Sequence, residues 1–397
     1  MYPKDFLLVN DHLNVWDFAT RDYLKHIFKD FHENAFGFYD EMRSTVEGSQ
    51  WHREDNVWVH TNMAIHYFLT NFVSDGKTPA NSIIAGVLAL LYHDVGKPEK
   101  ETNEVREDGS TYHRYLNHET FSANTFKDVW CLGGLNSPEF KISVSMMNFI
   151  RFVIQVHLPY QMTKSDIPNL KRTLEFFGDA AEIDNPIELF CQILKSDGMG
   201  RISDNHDVKE QNLDEWILNF KNTVVDFTHK TKPNKMMIMS GPSGSGKSSF
   251  IKDSGFDGNT VVSFDECYKE FYSFKTGVEH PDYSEAWRFC MDKVNRSECS
   301  TFIQQKIAKT IDRYSFVVID ATMLTKKSRR PMLGLAQSKN CTVYFVHFVQ
   351  PFSVCLDRVK KRRLGGGHDV PYMSLRSQFY SDTIPLIGDV DHYIYNF

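Results

Sequence analysis

Residues 236–250 read MMIMSGPSGSGKSSF, and this stretch limits what the chain can fold into more than any other. Met236 to Met239 form an apolar run that reads as a buried parallel strand. It feeds the loop Gly241, Pro242, Ser243, Gly244, Ser245, Gly246, Lys247, Ser248, whose glycines let successive backbone N–H groups turn toward one anion. Ser248 and Ser249 open a helix whose positive N-terminal end faces the same point. In this arrangement Lys247 reaches the outer phosphates and the Ser248 hydroxyl holds Mg²⁺. A Gly/Ser-rich linker would not be gripped between an apolar strand and a helix, so the expected ligand is ATP or another nucleoside triphosphate with Mg²⁺.

At 397 residues the chain is too long for one ordinary core, and two domains of roughly 150–200 residues are expected. No apolar run approaches the roughly 18 residues of a membrane span, and the N-terminal MYPKDFLLVNDHLNVWDF has no basic segment followed by an apolar one. A cytoplasmic protein without a membrane partner is expected. Seven cysteines with no C-x-x-C pair read as reduced thiols rather than zinc ligands. A formal net charge of −6 excludes coating nucleic acid through overall charge but leaves room for local basic patches.

In YLKHIFKDFHENAFGFYDEM, Tyr23, Ile27, Phe28 and Phe31 recur at helical spacing, so the first 50 residues are expected to pack as helix, with His26 and His32 at the surface. The segments that follow differ in kind. VWVHTNMAIHYFLTNF, SIIAGVLALLYHDVGKPEK, YHRYLNHETFSANTF, FVIQVHLPYQ and LFCQILKSDGMGR each read as a helix with a His or Asp near its end or on an otherwise apolar face. The helix at 82–93 buries Ile83, Ile84, Val87, Leu88, Leu90 and Leu91 and ends at His93-Asp94, stopped by Gly96 and Pro98. Burying an ionised Asp beside a His there costs several kcal/mol unless a cation or a partner offsets it. A bound metal is the economical explanation.

These segments resemble the HD phosphohydrolase superfamily, whose pattern of a first His, a His-Asp pair, further histidines and a last Asp is matched by His60, His93 with Asp94, His118, His157 and Asp197. The resemblance implies that His60, His93, Asp94 and Asp197 hold one metal, and that Asp94 bridges to a second shared with His118 and His157. This His/carboxylate mixture suits Mn, Fe, Co, Ni or Zn better than Ca or Mg. His113 stands as an alternative to His118, whereas His66 lies about 240° round a helix from His60 and is left out. Lys97, in HDVGK, resembles the lysine that HD enzymes place near the scissile phosphate, and could equally be a solvated residue of a helix-ending turn. The implied chemistry is hydrolysis of a phosphate ester by two divalent transition-metal ions.

Between Gly198 and Lys235 the sequence turns polar, and an amphipathic stretch from Leu213 to Phe227 reads as a connecting helix between short linkers. The expected layout is an all-α, HD-type helical domain at 1–205, a connector at 206–234, and an α/β P-loop kinase domain with a mostly parallel sheet at 235–397. In that second domain a strand near Val261 to Phe264 delivers Asp265, SFVVID ends in Asp320, and CTVYFVHFV is a further apolar strand. Arg358, Lys360, Lys361, Arg362 and Arg363 precede Gly365 to Gly367 and read as a lid over the phosphates, with a solvated charged face as the alternative.

This half resembles the polynucleotide 5′-kinases of the bacteriophage end-healing type, on GPSGSGKS, the Asp after the second strand, DATML followed by Arg329 and Arg330, the pair Arg358 and Arg362, and VPYMSLRSQFY. The resemblance implies that Asp265 is the general base for an attacking 5′-hydroxyl and Arg362 the lid arginine on the transferring phosphate. Phe264 and Tyr268 depart from the pattern, standing where the phage enzyme has arginines around its base. An HD domain followed by such a kinase is similar to the bifunctional HD-domain polynucleotide kinases. That similarity implies RNA or DNA ends as substrates, a ligase that could act downstream, and catalytic work by Asp94, Lys97, Lys247, Asp265 and Arg362. The basic segments 326–330 and 358–363 are expected to meet nucleic-acid phosphates, and an oligomer is compatible with the sequence. Two other functions fit the motifs: a nucleotide-metabolism enzyme joining an HD nucleotidase to a small-metabolite kinase, and a nucleotide-switched binding protein.

Overall fold

The computed structural model describes residues 18–33, 37–47, 55–73, 76–105, 109, 111–137, 140–159, 162–202, 206–225, 232–365 and 369–396. The chain splits into two compact units, Met1–Val225 and Asp226–Phe397.

The first unit is helical. Helix α1 (Phe18–Glu33) buries Tyr23, Ile27, Phe28 and Phe31, and α2 (Phe38–Ser44) follows it. Helix α3 (Val57–Phe68) starts where the Asn56 side chain accepts from Val59 N. Helix α4 (Ala80–Tyr92) is buried along every face from Ser82 onward, so it is the central rod that α3 and the later helices cover. The short α5 (Lys97–Lys100) leads into strand β1 (Glu101–Val105), which pairs antiparallel with β2 (Thr111–Tyr115). Sequence reasoning expected a helix through this stretch. The hairpin wins because Tyr112, His113, Arg114 and Tyr115 find cross-strand partners, Arg114 Nη1 donating to Glu104 Oε1 at 2.8 Å and Tyr112 to Glu104 Oε2. Helix α6 (His118–Cys131) therefore begins at His118 itself, after Asn117 in the left-handed region at φ 61°.

Three further helices close the core. They are α7 (Val144–Gln155), capped by Ser143, α8 (Ile167–Ala180), and α9 (Pro186–Met199), capped by Asn185 with proline at its first position. Helix α10 (His206–Asn222) begins seven residues earlier than the amphipathic stretch suggested and packs on α9. Lys195 of α9 donates to Glu210 at 2.9 Å and to Asp214 at 2.6 Å, and Phe190 meets Phe220 with ring centroids 5.8 Å apart.

The second unit is an α/β domain built on a five-stranded sheet, in the order β4 (Val261–Ser263), β5 (Phe316–Asp320), β3 (Asn234–Ser240), β6 (Cys341–Phe348), β7 (His392–Asn396), with every pairing parallel. Helices α11 (Lys247–Asp253), α12 (Phe264–Thr276), α13 (Tyr283–Met291), α14 (Arg296–Tyr314), α15 (Lys326–Ser338), α16 (Phe352–Leu364) and α17 (Tyr372–Tyr380) fill the connections. Helix α12 starts at Phe264, so Asp265 sits on its first turn rather than in the strand. Because the strands are parallel, the loops after β3, β4 and β5 all leave the sheet at one edge, where open α/β sheets bind ligands. Met239, Val318, Val346 and Phe348 form the core beneath that edge, with Phe250 of α11 packed against them. Among the described residues no helix is long and apolar enough to cross a membrane.

One expectation is corrected here. Arg329 does not face a nucleic acid. It is 2% exposed, and its guanidinium donates to the carbonyls of Met323, Leu324 and Thr383 and to Thr383 Oγ1, tying the loop after β5 to the chain after α17. Lys326, Lys327 and Arg330 remain exposed and keep the expected role open. Arg329→Met, which keeps the chain length and removes the donors, should lower the stability of the second unit by roughly 1–3 kcal/mol, read as a lower urea midpoint. Reversing the exposed Arg330 should move that midpoint by no more than about 0.5 kcal/mol.

Candidate functional site

The first unit brings together all six residues singled out for a metal site. His60 comes from α3, His93 and Asp94 from the end of α4, His118 from the start of α6, His157 from just after α7 and Asp197 from α9, and all six are buried. They fall into two groups whose ligand atoms lie within 4.8 Å of one another, His60, His93, Asp197 and Asp94, His118, His157. His113 is not among them; it lies on β2 and pairs with Glu101 at 2.6 Å.

The histidines are oriented alike. Each Nδ1 hydrogen-bonds a backbone carbonyl: His60 to Gly200 (3.0 Å), His93 to Leu90 (2.6 Å), His118 to Tyr115 (2.7 Å) and His157 to Ile154 (2.7 Å). A carbonyl only accepts, so Nδ1 of each ring carries a proton and Nε2 is the nitrogen turned inward, offering a lone pair when the ring is neutral. His60 Nε2 and His93 Nε2 stand 3.3 Å apart, His60 Nε2 is 3.0 Å from Asp197 Oδ1, and His93 Nε2 is 3.1 Å from Asp94 Oδ2. Asp94 Oδ1 and His118 Nε2 face each other at 3.0 Å, and both are buried without a hydrogen bond. Convergent lone pairs on buried nitrogens and carboxylates are a donor set that divalent transition metals fit.

Charge at the cluster is shared. Burial would raise Asp94, but the charges of His93 and Lys97 hold it well below the ordinary carboxylate range. Burial would likewise raise Asp197, and Arg201 together with the His60 hydrogen bond holds it down. Burial lowers His93, yet Asp94 and Asp197 raise it to about 10, so a cation binding there would have to displace a proton from the same lone pair. Burial and the charges of His93 and His118 push His157 down to about 3, which keeps its ring neutral.

Lys97 is buried and not solvated. It is 6% exposed, its Nζ lies 2.8 Å from Asp94 Oδ2, and it is paired on its other side with Glu47. The Lys97 ammonium also sits over the Tyr115 ring, 5.6 Å from the centroid. A cavity of about 300 Å³ opens here, lined by Glu47, Lys97, Arg114, Tyr115, Asp197 and Arg201 beside the histidines. Sequence reading missed Glu47, which no motif marks, and Arg201, whose place four residues after Asp197 was a usable signal; its Nη2 is 3.0 Å from Asp197 Oδ1.

In the second unit the loop after β3 is built as its glycines require. Gly244 lies at φ 81°, and a Cβ there would come within 2.6 Å of Cys355 O. Lys247 Nζ donates to Gly241 O at 2.8 Å and to Pro242 O at 3.0 Å, and Arg358 Nη1 donates to Gly244 O at 3.1 Å. Burial raises the Asp320 carboxyl at the end of β5 while Lys247 and Ser248 act to lower it, so Ser248 and Asp320 are neighbours placed to hold Mg²⁺. Ser243 N donates to Gln378 Oε1 of α17, a partner the sequence did not disclose. Arg362, on the last turn of α16, is exposed and near enough for its charge to act on Lys247; Gly366 and Gly367, the rest of the expected hinge, lie outside the described residues.

Residues 236–379 match a protein-family model described as "AAA domain", a match that lies wholly within the second unit. The second unit is an α/β domain with a P-loop. Among solved structures the chain is similar to a putative kinase from Chloroflexus aurantiacus, with 13% identity over 42% of this chain and 86% of that one and a TM-score of 0.32. It is also similar to a gluconokinase from Sinorhizobium meliloti, with 18% identity over 42% and 83% and a TM-score of 0.26. No curated protein matches it.

Two outcomes follow from this geometry. A Cβ on Gly200 would lie 2.4 Å from the Ala64 backbone, so Gly200→Ala must push the His60 carbonyl partner away. Metal affinity should fall about 10- to 100-fold in a titration with Mn²⁺, as expected when a ligand loses its orienting partner. Lys247 is lowered by burial to about 8, while anionic phosphates would restore its proton. Between about 8 and its ordinary 10.5, nucleotide binding should take up a proton and affinity should fall as pH rises. Calorimetry in two buffers of different ionisation heat measures that proton, and Lys247→Met should abolish it.

Proposed function

We propose that this protein repairs broken nucleic-acid ends, the first unit removing 2′,3′-cyclic, 2′- or 3′-phosphates and the second phosphorylating 5′-hydroxyls. The observation that carries the reading is the convergence of four Nδ1-anchored histidines with Asp94 and Asp197. It accompanies a nucleotide loop whose outer edge carries a candidate base, Asp265. Ribonuclease breaks leave a phosphate on one side and a 5′-hydroxyl on the other, so one chain with both activities restores ends a ligase can seal.

In the first unit His60, His93, Asp94 and Asp197 would hold one divalent transition metal, and Asp94, His118 and His157 a second. Such ions acidify water and polarise a phosphoester. Lys97, held by Asp94 and Glu47, presents fixed positive charge to the phosphate, and Arg201 and Arg114 add to it along the cavity wall. In the second unit Lys247 and the loop amides hold the triphosphate, and Ser248 with Asp320 holds Mg²⁺. Asp265 takes the proton of the 5′-hydroxyl as its oxygen bonds the γ-phosphorus, and the bond to the β-phosphate oxygen breaks to release the diphosphate. Arg362 and Arg358 neutralise the transferring group.

Incubation with ATP, Mn²⁺ and an RNA bearing a 5′-hydroxyl and a 2′,3′-cyclic phosphate tests both halves. Asp94→Ala should abolish phosphate removal and spare the kinase. Lys247→Ala should do the reverse, and Asp265→Asn should lower phosphorylation about 10²- to 10⁴-fold. Label appearing on a nucleoside or a sugar and not on the oligonucleotide would favour a small-metabolite kinase. Loss of phosphate removal in folded Lys247→Ala would favour the nucleotide-switched reading.

A further inference from the structure

The peptide unit between Pro242 and Ser243 is held from both sides. Its carbonyl accepts from Lys247 Nζ at 3.0 Å and from Ser245 N at 3.2 Å, and its N–H donates to Gln378 Oε1 at 2.9 Å. One residue on, Gly244 O accepts from Arg358 Nη1 at 3.1 Å. Lys247 of α11, Arg358 of α16 and Gln378 of α17 therefore meet at this turn. They differ in how a triphosphate acts on them. Lys247 and Arg358 are cations that phosphate oxygens attract, and an ammonium has three N–H groups to share. Reaching two phosphate oxygens leaves Lys247 at most one for Gly241 O and Pro242 O, both of which it holds here. Gln378 is neutral, and its amide oxygen gains nothing from an ionised phosphate oxygen, since both only accept.

Gln378 is placed by packing that does not involve the loop. Its neighbours Leu375 and Phe379 are buried, Leu375 in a cluster with Cys355, Val359 and Val370, and Phe379 against Phe352 of α16 with ring centroids 5.4 Å apart. Just beyond α17, Arg329 clamps Thr383 through its carbonyl and hydroxyl. We propose that Gln378 is a positioning residue for the nucleotide loop, keeping the Pro242–Ser243 peptide in place when Lys247 and Arg358 turn from loop carbonyls to phosphates. This rests on the loop's being the triphosphate site. A peptide unit that loses its donors on the carbonyl side can rotate, and the amides that follow it would then point away from the anion. One anchor on the N–H side prevents that rotation. Gln378 acts through the loop, so its contribution belongs to nucleotide affinity.

The test uses the full-length protein and compares wild type, Gln378→Met and Gln378→Glu. Affinity is measured by calorimetric titration with MgATP and with Mg²⁺-tripolyphosphate, and amide hydrogen exchange is followed at Ser243. Gln378→Met keeps the side-chain length and removes the acceptor. Affinity for both ligands should fall roughly 3- to 10-fold, the scale of one backbone hydrogen bond. Ser243 exchange should be slow in wild type with and without MgATP, and fast in the MgATP complex of Gln378→Met. Gln378→Glu keeps an acceptor oxygen and should restore the slow exchange. A glutamine that only helps α17 to pack would leave Ser243 exchange slow in Gln378→Met, and that result overturns the proposal. So does unchanged affinity for both ligands, or a loss for MgATP alone, which would mark a contact with the nucleoside. Each of these leaves the triphosphate reading intact, whereas a wild-type protein that binds neither ligand overturns both.

Discussion

Two buried carboxylates set the terms for the first unit. Asp94 and Asp197 are taken out of water by helices that are otherwise apolar, and neither can stay ionised there without fixed positive charge close by. The structure supplies Lys97 to Asp94 and Arg201 to Asp197, and turns four imidazoles toward the pair. The rest of the unit follows from holding these groups still. His60, His93 and His157 are tied through Nδ1 to carbonyls near the end of a helix or just beyond it, where backbone acceptors are free of the helical ladder, and His118 to the carbonyl of Tyr115 at the end of β2. Small residues let the elements close on the cluster. A Cβ on Gly96 would strike His118 O at 2.6 Å, and one on Gly200 would strike α3, so the glycines after His-Asp and Asp197 mark places where backbones must touch.

The second unit obeys a different constraint, the single direction of its strands. Parallel pairing of β4, β5 and β3 sends their following loops to one edge, and that alone brings Lys247, Asp265 and Asp320 into one electrostatic neighbourhood. The competition there is between burial and charge. Burial lowers Lys247, Asp320 and Asp265 pull it back, and its Nζ meanwhile satisfies two loop carbonyls. Groups with such alternatives can rearrange around phosphates at little cost.

What could be read from residue order alone was whatever local chemistry dictates. The P-loop needs glycines, a lysine and a hydroxyl in immediate succession, so it was legible, and so was a helix buried from Ser82 to Tyr92 that ends in His-Asp. The β1–β2 hairpin was not legible, because Tyr112 and Arg114 become strand residues only when Glu104 faces them across the ladder. Arg329 was misread for a related reason: beside Lys326, Lys327 and Arg330 it looks like one more surface cation, and only the fold shows it clamping three carbonyls.

By itself the sequence determined that a nucleotide loop opens an α/β half, and that histidines and aspartates recur along an apolar helical half. Tertiary structure decided which of those groups meet. Glu47 against Lys97 and Gln378 against Ser243 join positions far apart in the chain, and no local preference encodes them. Each is set by the packing of whole elements, because a side chain's partner depends on where its helix is docked, and docking is a property of the whole buried face rather than of the residue that makes the contact.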